Sequence, residues 1–378
     1  MNSCFNNFSD NRTQPQIPAS DIAKSVIHMP TLQLQSILQL DQIGRHPVLK
    51  NLVGSKRSMV ASDTTIQRVL PNLNLQPINE TIRTVYNQVV SRGLSKFHFS
   101  SGNKLVLAAV DGSGFGSFYA SVVTLIGQGT FPLDSHACET KGKELICSRA
   151  ALSRITDMLG HSWCDILLAD GLYPTEQDFK SAKELYGCDL LVKTSEETLT
   201  VIQNAKAIFA SNNPDVQSAK GFDSQHKVFY EAKSISGLFW QDLLYPLTVL
   251  HVKETKLNPK PGENQTEEFF AITTNTYLSP NEIREAAHAR WFIENNVFKR
   301  LNYITLSKRV HTKNLPTIIR LLALWLIGLS LLQIFIIYFQ KLNWQDSYGK
   351  VRITLVFLLN QLYLAIFASL PVEICGYG

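Results

Sequence analysis

Two short apolar runs, each closed by an aspartate and a glycine, constrain this chain most. Lys104–Val110 (KLVLAAV) runs into Asp111-Gly112-Ser113-Gly114, and Ile166–Ala169 runs into Asp170-Gly171. Continuous apolar runs of this length are too short for a buried helix and fit strands covered on both faces. Phe118–Ile126 predicts a further strand. Between the two runs, Lys143–Leu159 places Leu145, Ala151, Leu152, Ile155 and Leu159 at helical spacing. After the second, TEQDFKSAKELYG predicts an amphipathic helix stopped by Gly187, and CDLLVKT predicts another strand. Strands alternating with helices predict an α/β layer built around a sheet.

The flanks read differently. Residues 1–18 are polar and predict a flexible tail without a secretory signal peptide. Residues 19–103 predict a small helical domain, either a DNA-binding module or a structural cap. In it Asp21 is placed to cap IAKSVIHM, Ser62 or Asp63 to cap TTIQRVL, and Asn79 to cap ETIRTVYNQVV. Residues 104–195 form the first part of a core. Residues 196–276 predict a β-rich insertion, with strands at TLTVI, KVFYEA, LTVLHVKE and EFFAITT and a polar loop at KLNPKPGENQT. Residues 277–340 return to helix, opened by Ser279-Pro280-Asn281-Glu282, a capping box with proline at the first helical position. Residues 341–378 predict a C-terminal helical segment.

Composition narrows the classes. The chain has 378 residues, 45% of them apolar, which excludes wholesale disorder. A formal charge of +5 permits a nucleic-acid partner without demanding one. The six cysteines, Cys4, Cys138, Cys147, Cys164, Cys188 and Cys375, contain no C-x-x-C pair and no zinc spacing, and they read as reduced thiols of a cytoplasmic protein. Leu321–Phe339 and Ile353–Leu370 are nearly all apolar over 19 and 18 residues. Each approaches the ~20 residues that cross a bilayer. Gln333 and Ser330 in the first, and Asn360 and Gln361 in the second, favour buried helices over spans.

Three carboxylates stand in suggestive settings. Asp111 and Asp170 lie at strand ends, where α/β sheets place ligand sites. Taken singly, each is also an ordinary Asp-Gly turn. Glu294 follows Arg290 by one helical turn, which alone reads as a solvated i,i+4 pair. Trp291, Val297, Phe298 and Leu301 predict that this helix packs on a core and carries Glu294 toward the aspartates. Three converging carboxylates are the donor set that holds two divalent cations for phosphoryl transfer. Lys193 follows the CDLLV strand, either as a phosphate contact or as a solvated strand end. Trp240 reads as core before it reads as a base-stacking residue. His136, near Asp134 and Glu139, and His288, near Arg290, are weak candidates for a metal site and a DNA contact.

Asp111 and Asp170 are 59 residues apart, and Glu294 follows 124 residues later, across the β-rich stretch. With VDGSG, GKEL followed by SRAAL, DILLADGLY and RWFIENNVFKRL, the chain over roughly residues 20–340 resembles the DDE transposases of bacterial insertion sequences. The subgroup is the one whose signature is Tyr-(2)-Arg-(3)-Glu-(6)-Lys. The resemblance implies a ribonuclease H-like core with a β-strand insertion before the glutamate helix. It implies Asp111, Asp170 and Glu294 as ligands of two Mg²⁺ ions, with Mn²⁺ as a substitute. It further implies Arg290 on phosphate and a homo-oligomer working on double-stranded DNA without a membrane; Arg300 and Lys193 are further candidate DNA contacts. Ser113 and Tyr173 are then not nucleophiles, because hydrolysis and strand transfer need no covalent protein–DNA intermediate. Ile353–Leu370 is the candidate for dimerisation. The signature tyrosine falls on Ala287 and the signature lysine on Leu301, beside Arg300. A DNA-binding relative without catalysis and a membrane protein with two C-terminal spans are the alternatives.

Overall fold

A computed structural model describes residues 5–44, 53, 61–139, 142–172, 174–211, 213–224, 226–256, 265–305 and 312–341. The loop at 257–264, Tyr173 and the second apolar segment at 353–370 lie outside the described residues.

An N-terminal helical region holds α1 (Ala19–His28), α2 (Ile37–Gln42), α3 (Asp63–Val69) and α4 (Leu75–Ser91). Ser62 caps α3 as expected, its hydroxyl accepting from the Thr65 N–H. Two other caps fall earlier than the sequence reading put them. Asp21 lies in the first turn of α1, where its charge faces the helix dipole. In α4 the cap is Asn74, not Asn79, and Pro77 sits in the first turn, where its missing N–H is not needed. Over the residues expected as a tail, Phe8 is buried and Ser9's carbonyl accepts from Asn74 N–H at 2.9 Å.

A small hairpin follows, β1 (Phe97–His98) and β2 (Lys104–Leu105). Then comes one mixed sheet containing, among the described residues, nine strands in the order β5-β4-β3-β6-β7-β11-β10-β9-β8. β3 (Leu107–Phe115), β4 (Phe118–Ile126) and β5 (Thr130–Cys138) form an antiparallel meander. After α5 (Glu144–Leu159) the chain enters β6 (Ile166–Ala169), parallel to β3. It then runs through α6 (Glu176–Ser181) and a π-helical turn, Ala182–Tyr186, closed by Gly187 in the left-handed conformation. β7 (Asp189–Thr194) is parallel to β6. All four residues of β6 are buried, as a parallel strand covered on both faces requires.

The stretch expected as a β-rich insertion extends this same sheet. β11 (Gln265–Thr273) pairs antiparallel with β7, and β10 (Leu247–Lys256), β9 (Val228–Leu238) and β8 (Gln217–Asp223) follow outward. TLTVI, expected as a strand, opens α7 (Thr200–Ala210) instead. Its β-branched residues suit a strand, but Val201, Ile202 and Ala205 are the buried ones, a helical spacing, and packing on the sheet decides. β8 carries no apolar signal because it is an edge strand with alternating exposed positions.

The C-terminal helices are α8 (Pro280–Ala289), α9 (Trp291–Ile293), a π-helical turn over Glu294–Phe298, α10 (Lys299–Thr305) and α11 (Leu315–Lys341). The Ser279–Glu282 capping box forms as expected. α11 contains the first apolar segment. Its length and mean hydropathy of 2.2 would suffice for a span, but 72% of its most apolar window is buried against the protein. It packs on β5, α1 and α4. Its polar groups are used there: Ser330 Oγ donates to Pro132 O at 2.8 Å and Arg320 Nε to Leu73 O at 2.6 Å.

Cys138 and Cys147, expected as free thiols, form a disulfide between the end of β5 and α5, with Cα atoms 6.6 Å apart. The two cysteines are nine residues apart in sequence. Cys164 and Cys188 are free and buried.

Gly328 sits in α11 where the helix crosses the end of α1. A Cβ there would lie 2.1 Å from the carbonyl oxygen of Ile27. Glycine to alanine inside a helix ordinarily gains about 1 kcal/mol. Here the sign reverses, and Gly328→Ala should lower the thermal midpoint; an unchanged or raised midpoint would show that α11 does not rest on Ile27.

Candidate active site

The register of β3 on β6 decides where the first two carboxylates meet. The ladder pairs Leu107 with Ile166, Ala108 with Leu167 and Ala109 with Leu168. Continued two residues, the same offset sets Asp111 level with Asp170. Neighbouring strands lie about 4.8 Å apart, and residues at one level point to one face. That face follows from the next position along. Gly112 pairs with Ser121, whose hydroxyl accepts from Ser148 of α5 at 2.8 Å, so Gly112 faces α5 and Asp111 faces the opposite side.

Each aspartate is oriented by local backbone. Gly112 N–H donates to Asp111 Oδ1 at 2.8 Å, and Leu172 N–H donates to Asp170 Oδ1 at 3.0 Å. Asp111 Oδ2 accepts from Arg290 Nη1 at 2.8 Å. Burial pushes the Asp111 carboxyl above its usual range. Arg290 pulls it down, while Asp170 and Glu294 add repulsion. Asp170 and Glu294 are thus both near enough to Asp111 to act on its charge. Glu294 is exposed at the start of its π turn. Among the described residues no group of three His, Cys, Asp or Glu side chains is gathered closely enough to hold a metal ion. The donor chemistry nevertheless suits a hard dication, since all three groups offer carboxylate oxygens. Among the described residues, no hydrogen-bond partner holds Asp170 Oδ2.

Three sets of contacts hold the helix that carries Arg290 and Glu294. At the N-terminus of α8, Ser101 Oγ and Asn103 Nδ2 each donate to Glu282 Oε1 at 2.6 Å, and Ser100 N–H donates to Glu285 Oε2 at 2.9 Å. Along its body, Arg284 Nε donates to Glu254 Oε1 at 2.5 Å, and His288 Nε2 lies 2.8 Å from the same oxygen. Arg284 also pairs with Asp223 at 3.4 Å and stacks on Tyr230. Beyond Glu294, Val297, Phe298 and Leu301 are buried. The helix breaks at Arg290, so this guanidinium turns to Asp111 rather than forming the i,i+4 pair with Glu294 that a regular solvated helix favours.

Other expectations are redistributed. Trp291, expected to pack inward, is 49% exposed. Arg300 Nη1 donates to Gln333 Oε1 of α11 at 2.7 Å, a tie between helices rather than a group directed at the carboxylates. Ala287 and Leu301, at the signature positions, are both fully buried. A π turn inserts one residue into the helix, so Leu301 is rotated away from the face of Glu294 and into the core. Trp240 is core, packed edge-on to Phe179. His288 is taken up by Glu254. Asp134, beside His136, pairs with Arg154 at 2.6 Å, which removes it as a metal ligand for that histidine.

Lys193 is not a solvated strand end. Its Nζ lies 3.9 Å from the centre of the Phe269 ring, and burial pushes its pKa down, with Glu254 and Glu267 opposing. It lines a cleft of about 770 Å³ with Asp170, Glu267, Phe269, Arg290 and Trp291. A second cleft of about 320 Å³ shares Lys193, Glu267 and Trp291. Phe269 and Glu267 were not anticipated; they come from β11, and only its pairing with β7 brings them here.

Burial raises Asp223, but hydrogen bonds from His226 and the charges of His226 and Arg284 outweigh it and hold the group at about 2, below its ordinary 3.8. A depressed carboxylate stabilises the fold above its unfolded pKa, and that stability is lost as pH falls through the folded one. Asp223→Asn should therefore melt roughly 2–4 °C below the parent at pH 6, with the gap closing by pH 2. A gap that persists at pH 2 would show that the pair is not the cause.

The chain matches no family model and no curated protein.

Proposed function

We propose that the protein is a DNA transposase that cleaves the ends of its element and joins them to target DNA by metal-dependent phosphoryl transfer. The observation that carries this is the level placement of Asp111 and Asp170 on adjacent parallel strands, with Glu294 in the same electrostatic field. The β5-β4-β3-β6-β7 order, with Asp111 on the central strand, supports a ribonuclease H-like core. The four strands beyond β7 are in this reading the insertion that precedes the glutamate helix.

Asp111, Asp170 and Glu294 would hold Mg²⁺ or Mn²⁺, which supplies activation of the attacking oxygen and charge stabilisation of the in-line displacement. The residues of the chain do the rest. Arg290 and Lys193 place positive charge beside the carboxylates, where a phosphodiester enters. Phe269 and Trp291 wall the cleft on the Lys193 side, keeping part of it from water. The helices of residues 19–103 are proposed to contact the element's terminal repeats, and two copies of the chain to handle paired ends.

A DNA-binding relative without catalysis is the second reading. It is favoured by the Arg290–Asp111 pair, which occupies a carboxylate oxygen that a metal ion would need.

Strand cleavage on DNA carrying the gene's own flanking sequences separates the two. The transposase reading expects cutting with Mg²⁺, none with EDTA, and a fall of at least a hundredfold in Asp170→Asn and Glu294→Gln, with DNA binding retained. Cutting by Asp170→Asn at the parent rate would remove that carboxylate from the site. Binding without cutting in the parent protein would favour the second reading.

A further inference from the structure

The position of Arg290 carries more than a phosphate contact. Its Nη1 lies 2.8 Å from Asp111 Oδ2, and the two side chains are 14% and 18% exposed. Asp111 is partly buried, and its Oδ2 is the oxygen left over after Gly112 N–H takes Oδ1. A cation seated between Asp111 and Asp170 would need that same oxygen. The guanidinium is also incompletely satisfied: among the described residues its Nε is buried without a hydrogen-bond partner. The arginine sits at the junction of α8 and α9, one turn before a π-helical turn. It also borders the cleft that reaches Asp170 and Lys193.

We infer that Arg290 is an exchangeable counter-ion. It holds Asp111 when the protein is alone and gives up Oδ2 to a divalent cation when a phosphate group arrives to take the guanidinium in its place. This rests on the metal-dependent reading above. Metal and DNA then bind cooperatively, because each removes the competitor of the other. The protein without DNA is held in a state of low metal affinity, which restrains cutting until a DNA end is seated. The exchange is of ionic and hydrogen-bonded partners alone; no covalent bond changes.

The test is Mn²⁺ binding by the full chain, followed by loss of the free-ion electron paramagnetic resonance signal, with and without a duplex of the gene's flanking sequence. The parent should bind Mn²⁺ weakly alone and at least tenfold more tightly with duplex. Arg290→Gln should bind at least tenfold more tightly than the parent without DNA and gain little from duplex. Arg290→Lys, which keeps the charge, should stay close to the parent. Asp170→Asn should abolish binding in either background, and thermal melts confirm that each variant is folded. Equal Mn²⁺ affinity of parent and Arg290→Gln, both lost with Asp170→Asn, would overturn the exchange and leave the metal site standing. No Mn²⁺ binding by any folded variant, with or without duplex, would overturn the metal reading and the exchange together.

Discussion

The parallel pairing of β3 with β6 is the constraint on which the rest depends. Parallel strands cannot be joined by a tight turn, so the chain must leave the sheet and return. It does so through β4, β5 and α5. That excursion fixes the offset between the strands, and the offset puts Asp111 level with Asp170. Side chains alternate along a strand with a period of two, so a slip of one residue would turn one carboxylate toward α5 and away from its partner. The apolar residues before each aspartate prevent that slip. Ala108, Ala109, Ile166 and Leu168 are completely buried, and moving any of these runs by one position would drive polar groups into the same core.

A second constraint is electrostatic. Burial pushes the Asp111 carboxyl above its usual range, and repulsion from Asp170 and Glu294 adds to it. The fold offsets this with the Arg290 guanidinium on Asp111, and Lys193 lines the same cleft as Asp170. Each is positioned by its surroundings. Arg290 is delivered by a helix clamped at one end by the β1–β2 hairpin and along its length by the Glu254–Arg284–His288 cluster. Lys193 is set by β7 and covered by the Phe269 ring of β11. The outer strands thus contribute to the site in two ways, by bracing the helix and by walling the cleft.

The sequence was most legible where local chemistry and packing agree. The capping box at Ser279 and the stop at Gly187 rest on contacts within a few residues, and both formed where expected. It was least legible where long-range partners choose. Thr200–Ile202 has the residues of a strand but becomes helical because the sheet buries one face of α7. β8 has too few apolar residues to announce itself and exists because β9 offers it an edge. Cys138 and Cys147 carry no spacing signal, and the packing of α5 on β5 brings them together.

By itself the sequence determined the alternation of buried strands and amphipathic helices, and with it the mixed α/β class and the placing of Asp170 at a strand end; Asp111, expected at a strand end too, lies within β3, whose pairing with β4 carries the strand on to Phe115. Hydrophobic periodicity and turn chemistry are local properties, readable from neighbours in the chain. Only the tertiary structure decided that Arg290 answers Asp111 instead of Glu294, that Arg300 ties two helices, and that Lys193, Phe269 and Trp291 share a cleft. Those partners lie tens to hundreds of residues apart in sequence. Which of them meet is set by strand order and helix docking, because a charged side chain carries no mark of the partner it will meet.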